Sequence, residues 1–482
     1  MRSASFASRA SSASGASGAS FASSSSFASF ASFVSFALLL AFGLTACSTP
    51  TLQREAAPTG FVQPGQKPCP AGVAAGTRCL AGADTSGAYY WIAVPPAWNG
   101  MLVLHAHGGP ELGPPRSARA EQDLKRWSVW SRAGYAWAGT SFRQGGVAVR
   151  AAAEDIERLR HIFSAVIGVP KRTLLHGQSW GASVAAVAAE TYTARDAAGR
   201  VPYDAVLLTS GVLGGGTESY NFRLDLRVVY EAVCANHPRP DEPQYPLWQG
   251  LPPGARMTRP ELRARVDACT GIDHPAAARS EAQRRNLKTL LDVIRIPERT
   301  LVSHLNWATF DFQDVVFKRL DGRNPFGNIG ARYTGSADDT ALNAAVARYR
   351  ADPAAVAKFA ADTDPQGRIP VPVLDVHAID DPTAFVELES TWHETMRRAG
   401  TDGHLVQVYT DDHEHSYLSD AEYIAAMQAL LRWVDAGEKP TPQGIAAACP
   451  KVDAAFDPVH GCRFMPAYRP GPLTSRVPAR TQ

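Results

Sequence analysis

Apolar residues along this chain follow two rhythms. Short, nearly continuous apolar runs recur at 89–94, 101–106, 173–176, 203–208, 371–376 and 405–409, with a weaker one at 135–138. Runs of this length predict strands, and the one at 101–106 is unbroken enough for a central strand. Pro95, Pro96 and Trp98–Asn99–Gly100 make a turn between the first two. Elsewhere apolar positions recur every three or four residues. Ile156, Leu159, Ile162 and Phe163 share one face of a helix over 151–166. An alanine-rich helix follows at 182–191, and Tyr423, Met427, Leu430, Leu431 and Val434 give 420–438 a packing face. Strands and helices in alternation predict an α/β fold, a mostly parallel sheet covered on both faces.

The alternation stops near Ser210 and resumes with the run at 371–376. The residues between are rich in proline and aromatic side chains. They carry helical spacing at 286–296 and twice within 338–359, where Pro353 divides the two pieces. Because the sheet pattern resumes afterwards, this block is expected to be a largely helical cap inserted into one domain, in preference to an independent second domain. The expected organisation is a leader at 1–46, a linker and N-terminal loop at 47–85, and the first part of the sheet domain at 86–211. The cap follows at 212–369, then the second part of the sheet domain at 370–440 and a C-terminal surface extension at 441–482.

Composition changes this picture mainly at the N-terminus. Residues 3–34 are nearly all Ser, Ala, Phe and Gly, with Arg9 the only charge. Residues 30–42 form an apolar core of signal-peptide length, short for a membrane-spanning helix. Leu44–Thr45–Ala46–Cys47 resembles a bacterial lipoprotein box. That resemblance implies lipidation of Cys47 and an exported protein anchored to the bacterial envelope. Ordinary cleavage near Ala46 would instead leave it periplasmic or secreted. The six other cysteines, Cys69, Cys79, Cys234, Cys269, Cys449 and Cys462, admit 15 pairings in an exported chain. Pairing neighbours along the chain closes short loops at low entropic cost. No C-x₂-C spacing favours zinc. Lysine plus arginine number 48 against 46 acidic residues, and removing Arg2 and Arg9 with the leader leaves 46 against 46. Such a balance gives no case for a nucleic-acid partner.

The chemistry centres on Gly177–Gln178–Ser179–Trp180–Gly181, a G-x-S-x-G between the strand at 173–176 and the alanine-rich helix. That context predicts a nucleophile elbow with Ser179 at its apex. A serine nucleophile needs a histidine to take its proton and a carboxylate to hold that histidine's tautomer. The strand at 371–376 runs into His377–Ala378–Ile379–Asp380–Asp381–Pro382, where Asp381 is preferred to Asp380, although an aspartate before proline also suits a plain turn. The strand at 405–409 runs into Asp411–Asp412–His413–Glu414–His415–Ser416, where His415 is preferred to His413. The two histidines have no third ligand at motif spacing, so no metal is expected. An oxyanion needs backbone N–H donors. Trp180 supplies one, and His107–Gly108–Gly109, after a central strand, supplies the other from Gly108 or Gly109. His105 and His107 are expected to orient loops rather than titrate.

From His107–Gly108–Gly109, the elbow, the segment ending at Asp381 and the region of His415, residues 90–433 resemble exported bacterial α/β-hydrolases. The resemblance implies the α/β-hydrolase fold and a Ser179, Asp381 and His415 triad working without a cofactor. Ala378 stands where such families have glycine. Tannase-like and feruloyl-esterase-like members join a cysteine beside the histidine to one at the elbow. Here Glu414 and Ser416 flank His415, and Gln178 precedes Ser179, so that disulfide is not available. In placement the cap is similar to those of proline-specific serine peptidases. The expected activity is hydrolysis of a small, aromatic or oligomeric carboxylic ester. The alternatives are a peptidase or amidase, and a non-catalytic binding protein on the same scaffold. Cap aromatics such as Tyr220, Phe222, Trp307 and Phe312 are read either as lining an acyl site or as the cap's own core. Cap arginines are read either as a receiver for a substrate carboxylate or as a solvated face.

Overall fold

The computed structural model of the chain describes residues 60–481. Its strands are β1 (Gly65–Lys67), β2 (Arg78–Ala83), β3 (Tyr89–Val94), β4 (Met101–Ala106), β5 (Ala136–Thr140), β6 (Arg172–Gln178), β7 (Ala205–Thr209), β8 (Val373–Ala378) and β9 (Leu405–Thr410). They make one sheet in the order β1-β2-β3-β5-β4-β6-β7-β8-β9. The pairings from β1 to β5 are antiparallel, and those from β5 through β4 to β9 are parallel.

Side chains alternate across a strand, so buried strands feed two cores at once. Val206 and Leu208 of β7 pack under the helices Val149–Val166 and Trp180–Thr191. Ala205 and Leu207 pack on the other face with residues of Ser117–Arg126 and Asp420–Ala436. Ile156, Leu159, Ile162 and Phe163 are all buried, as their spacing predicts. At roughly 1.5–3 kcal/mol per fully buried large apolar side chain, those four contribute on the order of 10 kcal/mol before entropy. The Asp420–Ala436 helix begins at a capping box between Ser419 and Glu422 and stops at Gly437, whose φ is 73°.

Residues 65–67 and 78–83, expected as part of a loop, are β1 and β2. β2 pairs along its whole length with β3, from Arg78↔Val94 to Ala83↔Tyr89. No apolar run marks β2, because only Cys79 and Leu80 are buried. Gly82 must also stay small, since a Cβ there would stand 2.6 Å from the Tyr90 hydroxyl. Backbone pairing, backed by the Cys69–Cys79 disulfide, makes the strand. Cys234–Cys269 and Cys449–Cys462 are also bonded. Cys47 and the leader lie outside the described residues.

A helical cap enters between β7 and β8. Its principal helices are Gly215–Cys234, Arg259–Thr270, Glu281–Ile294 and Pro353–Thr363. A helical stretch over 301–319 carries two wide π turns, Trp307–Asp311 and Val315–Arg319. Tyr220, Phe222, Tyr230 and Phe312 are buried in a hydrophobic cluster of the cap itself, so at those positions packing accounts for the aromatic residues. After Asp420–Ala436 the chain returns along the edge of β9, where Met465 N–H donates to the Tyr409 carbonyl, and ends against the cap through Arg480 and Asp225. This arrangement, with the cap between the strand preceding the acid loop and its neighbour, is the α/β-hydrolase fold.

Candidate active site

Three loops at the C-terminal ends of β6, β8 and β9 meet at one point. The first is the elbow. Ser179 has φ 57° and ψ −124°, a backbone that non-glycine residues rarely adopt. The turn holds because its flanks cannot be bulkier. A Cβ on Gly177 would lie 2.4 Å from the Gly181 carbonyl oxygen, and one on Gly181 would lie 2.1 Å from that of Ala106. Ser179 N–H donates to the Thr209 carbonyl, and the Ser179 carbonyl accepts from Val212 N–H, so the elbow is tied to the end of β7.

Asp381 and His415 arrive from the other two loops. His415 Nδ1 lies 2.7 Å from Asp381 Oδ2, and His415 Nε2 lies 2.7 Å from Ser179 Oγ. A carboxylate only accepts, so Nδ1 carries the proton and donates. Nε2 then presents a lone pair, to which the Ser179 hydroxyl donates. The other Asp381 oxygen, Oδ1, accepts from the Thr383 and Ala384 N–H groups at 2.8 and 2.9 Å. Burial pushes the Asp381 carboxyl up, but the charge and hydrogen bond of His415 and the nearby His377 hold it below the usual carboxylate value. Asp380, the neighbouring acid, instead pairs with His413 at 2.8 Å on the surface. The preferred members of both pairs are therefore the ones brought together with Ser179.

Behind Asp381 lies a buried polar layer. His377 Nε2 donates to the Ala384 carbonyl at 2.8 Å, and its Nδ1 faces Glu389 Oε1 at 2.7 Å. Burial raises the Glu389 carboxyl to about 7. A protonated Glu389 can donate to Nδ1 while Nε2 donates to the Ala384 carbonyl.

The oxyanion donors expected from the sequence are the amides of Trp180 and of the Gly108–Gly109 loop. Trp180 N–H opens the helix Trp180–Thr191 and so has no intrahelical acceptor. The Gly108 carbonyl accepts from Arg119 Nη2 at 2.9 Å and from His107 Nδ1 at 3.0 Å. In a trans peptide the next N–H points the opposite way, so the Gly109 N–H is turned from Arg119 toward the other side of the loop. Gly109 has φ 69°. Burial and the Arg119 charge drive His107 down to about 3, so it is neutral here. Burial likewise lowers His176 to about 3 and holds its partner His105, at 3.0 Å, well below the ordinary histidine value. Both are structural groups beneath the site.

Gln178 had no assigned role in the sequence and joins two of these loops. Its Nε2 donates to Ser416 Oγ, beside His415, and its amide fills the space next to Gly108, where a Cβ would stand 2.3 Å from Oε1. Arg126 Nη2 donates to the Ser416 carbonyl, and Arg299 of the cap pairs with Glu414 at 3.2 Å. From the cap, Arg319 donates to the Gly145 carbonyl in the loop packed beside Glu111. Gln178, a polar residue at the buried end of an apolar strand, left a faint sequence signal. The arginines left none, since their partners are distant in the chain. Ser179 is 7% exposed and His415 Nε2 faces it from a side chain 21% exposed. The arrangement can move a proton from Ser179 to His415.

No protein-family model and no curated protein matches the chain. Among solved structures it is similar to Candida antarctica lipase A in its closed state, at 12% identity and a TM-score of 0.41, over 79% of this chain and 83% of that one. It is similar to feruloyl esterase B from Aspergillus oryzae at 13% identity and a TM-score of 0.38, over 76% and 81%. An esterase from the bacterial hormone-sensitive lipase family aligns at 12% identity and a TM-score of 0.34, over 78% and 83%.

Proposed function

We propose that this protein is a serine hydrolase that cleaves a carboxylic ester through an acyl-enzyme. The observation that carries the reading is the unbroken chain of contacts from Ser179 through His415 to a buried Asp381. Ser179 Oγ attacks the ester carbonyl carbon while His415 Nε2 takes its proton. The imidazolium is stabilised by Asp381, and the tetrahedral oxyanion accepts from the Trp180 and Gly109 amides. His415 returns the proton to the departing alkoxide. It then accepts one from water, which attacks the acyl-enzyme and frees Ser179. The scheme uses no cofactor.

The same groups cleave amides, so preference is a question for assay. Purified protein is compared on p-nitrophenyl esters of several chain lengths, aromatic esters, and aminoacyl or prolyl arylamides. The ester reading expects ester turnover and loss of it in Ser179→Ala, with Ser179 labelled by a fluorophosphonate. Ester activity unchanged in Ser179→Ala rejects the reading, and arylamides cleaved faster than every ester replace it with a peptidase. We further propose that the protein is exported and lipid-anchored at Cys47, a reading supported by three disulfides in one chain. Cys47→Ser should move it from the membrane fraction to the soluble envelope fraction.

A further inference from the structure

Arg223 sits on the long cap helix Gly215–Cys234 and is 5% exposed. Its Nη1 donates to the Ser219 carbonyl one turn back, and its Nε has no partner. No carboxylate among the described residues reaches it as an ion pair. Arg227, one turn on and also buried, has Glu231 at 3.8 Å and the Tyr245 hydroxyl at 3.2 Å. The guanidinium of Arg223 is instead ringed by Tyr220, Phe222 and Trp307, whose centroids lie at 4.7, 4.8 and 4.7 Å. Ring faces attract a cation, but a buried guanidinium whose Nε–H has no acceptor remains under-compensated. Asp311 is an acid that acts on its charge, and burial raises the Asp311 carboxyl to about 8 against the pull of Arg223.

Hydrogen bonds and a ring contact link the surroundings of this cation to both the elbow and the acid loop. Val212 N–H is bonded to the Ser179 carbonyl, and the helix begins three residues later at Gly215. With a rise of 1.5 Å per residue, Ser219 and Arg223 stand roughly 6 and 12 Å along it. Ser219 Oγ is buried and also unpartnered. From the acid side, His304 Nε2 donates to the Pro382 carbonyl at 2.9 Å, next to Asp381, and its ring lies 5.3 Å from Trp307, which covers Arg223. Arg223, Asp381 and His415 all act on the charge of His304.

We propose that Arg223 and Ser219 receive a carboxylate carried by the substrate. The preferred ester is then an anionic half-ester, or a hydroxy-acid oligomer with a free acid end. Arg223 Nε–H and the Ser219 hydroxyl donate to the carboxylate. This rests on the hydrolase reading and adds a substrate class to it.

The test compares mono-p-nitrophenyl esters of dicarboxylic acids of increasing length with methyl-ended p-nitrophenyl alkanoates of equal length. The expected result is a kcat/KM at least tenfold higher for the anionic member at one spacer length, carried by KM. Arg223→Met should abolish that preference, and Arg223→Lys should retain part of it. Free dicarboxylates of the preferred length should inhibit the folded wild-type protein competitively, a readout that needs no variant. Equal turnover of both series at every length, or a preference that survives in Arg223→Met, overturns the proposal. Neutral esters cleaved without anion preference defeat the carboxylate site alone. Absence of both ester cleavage and fluorophosphonate labelling of Ser179 defeats the hydrolase reading itself.

Discussion

Asp381→Asn changes two atoms and tests the whole proton path. Asp381 Oδ1 accepts from two backbone N–H groups, at 2.8 and 2.9 Å, so an asparagine must place its carbonyl oxygen there. Its NH₂ then takes the place of Oδ2, 2.7 Å from His415 Nδ1. A donor facing Nδ1 forces the histidine proton onto Nε2, where it points at Ser179 and cannot accept. Flipping the amide would restore the tautomer. It would also break two hydrogen bonds worth about 1 kcal/mol each and set an NH₂ against two buried donors. The cost is on the order of 3 kcal/mol, or roughly a hundredfold in population. Losing the negative charge beside the developing imidazolium adds one to two further decades. The expected loss in kcat is therefore about 10³–10⁴-fold, equivalent to roughly 4–5.4 kcal/mol. The assay is kcat on the best p-nitrophenyl ester, with circular dichroism to establish folding. Asp380→Asn, at an exposed acid paired with His413, should stay within about threefold of wild type. Folded Asp381→Asn retaining more than a tenth of wild-type kcat would refute the assignment of Asp381 as the orienting acid.

Gln178→Ala should lower stability by about 1–3 kcal/mol, because it leaves the buried Ser416 hydroxyl unpaired, and should reduce kcat more than it raises KM. Urea unfolding and steady-state kinetics read the two effects, and an unaltered kcat refutes the positioning role. Glu389 carries a carboxyl raised from 4.5 to about 7, so its neutral form is favoured by folding. That contribution is fully present below the unfolded value, near pH 4.5, and is lost as pH rises through 7. Glu389 alone should lower the unfolding free energy by on the order of 3 kcal/mol across that window, and Glu389→Gln should make the slope shallower by that amount. Equal slopes in the two proteins exclude Glu389 as the source. Replacing Cys234 and Cys269 by serine opens a 35-residue loop and should cost about 4 kcal/mol by chain entropy. Cys69 and Cys79 close only 10 residues, so their replacement should cost less, about 2.7 kcal/mol. The reverse order in calorimetry would count against that account.

The parallel half of the sheet was legible because strands buried on both faces carry short apolar runs, nearly unbroken in β4 and β7 and reduced to Leu174–Leu175 in β6. The elbow was legible because its steric demands are local: Gly177 and Gly181 are required by atoms only a few residues away or on the adjoining strand. β1 and β2 were not legible, since their pairing is written in backbone hydrogen bonds and a disulfide and not in side-chain pattern. The helix Glu281–Ile294 begins five residues before the apolar periodicity suggested, at a capping box between Ser280 and Gln283 that lies outside the apolar face.

By itself the sequence determined the strand-and-helix alternation, the place of the cap, the sharp turn at Ser179 and the acid and histidine loops that follow it. These depend on burial and backbone sterics over a few residues, which composition and spacing record. Only the tertiary structure decided that Asp381 and His415 face Ser179 while Asp380 and His413 face solvent. It alone brought Gln178 to Ser416 across 238 residues and left the Nε–H of Arg223 buried without a partner. Those relations are electrostatic and directional between groups distant in the chain. Their energies exist only once folding has excluded water and fixed which atoms meet.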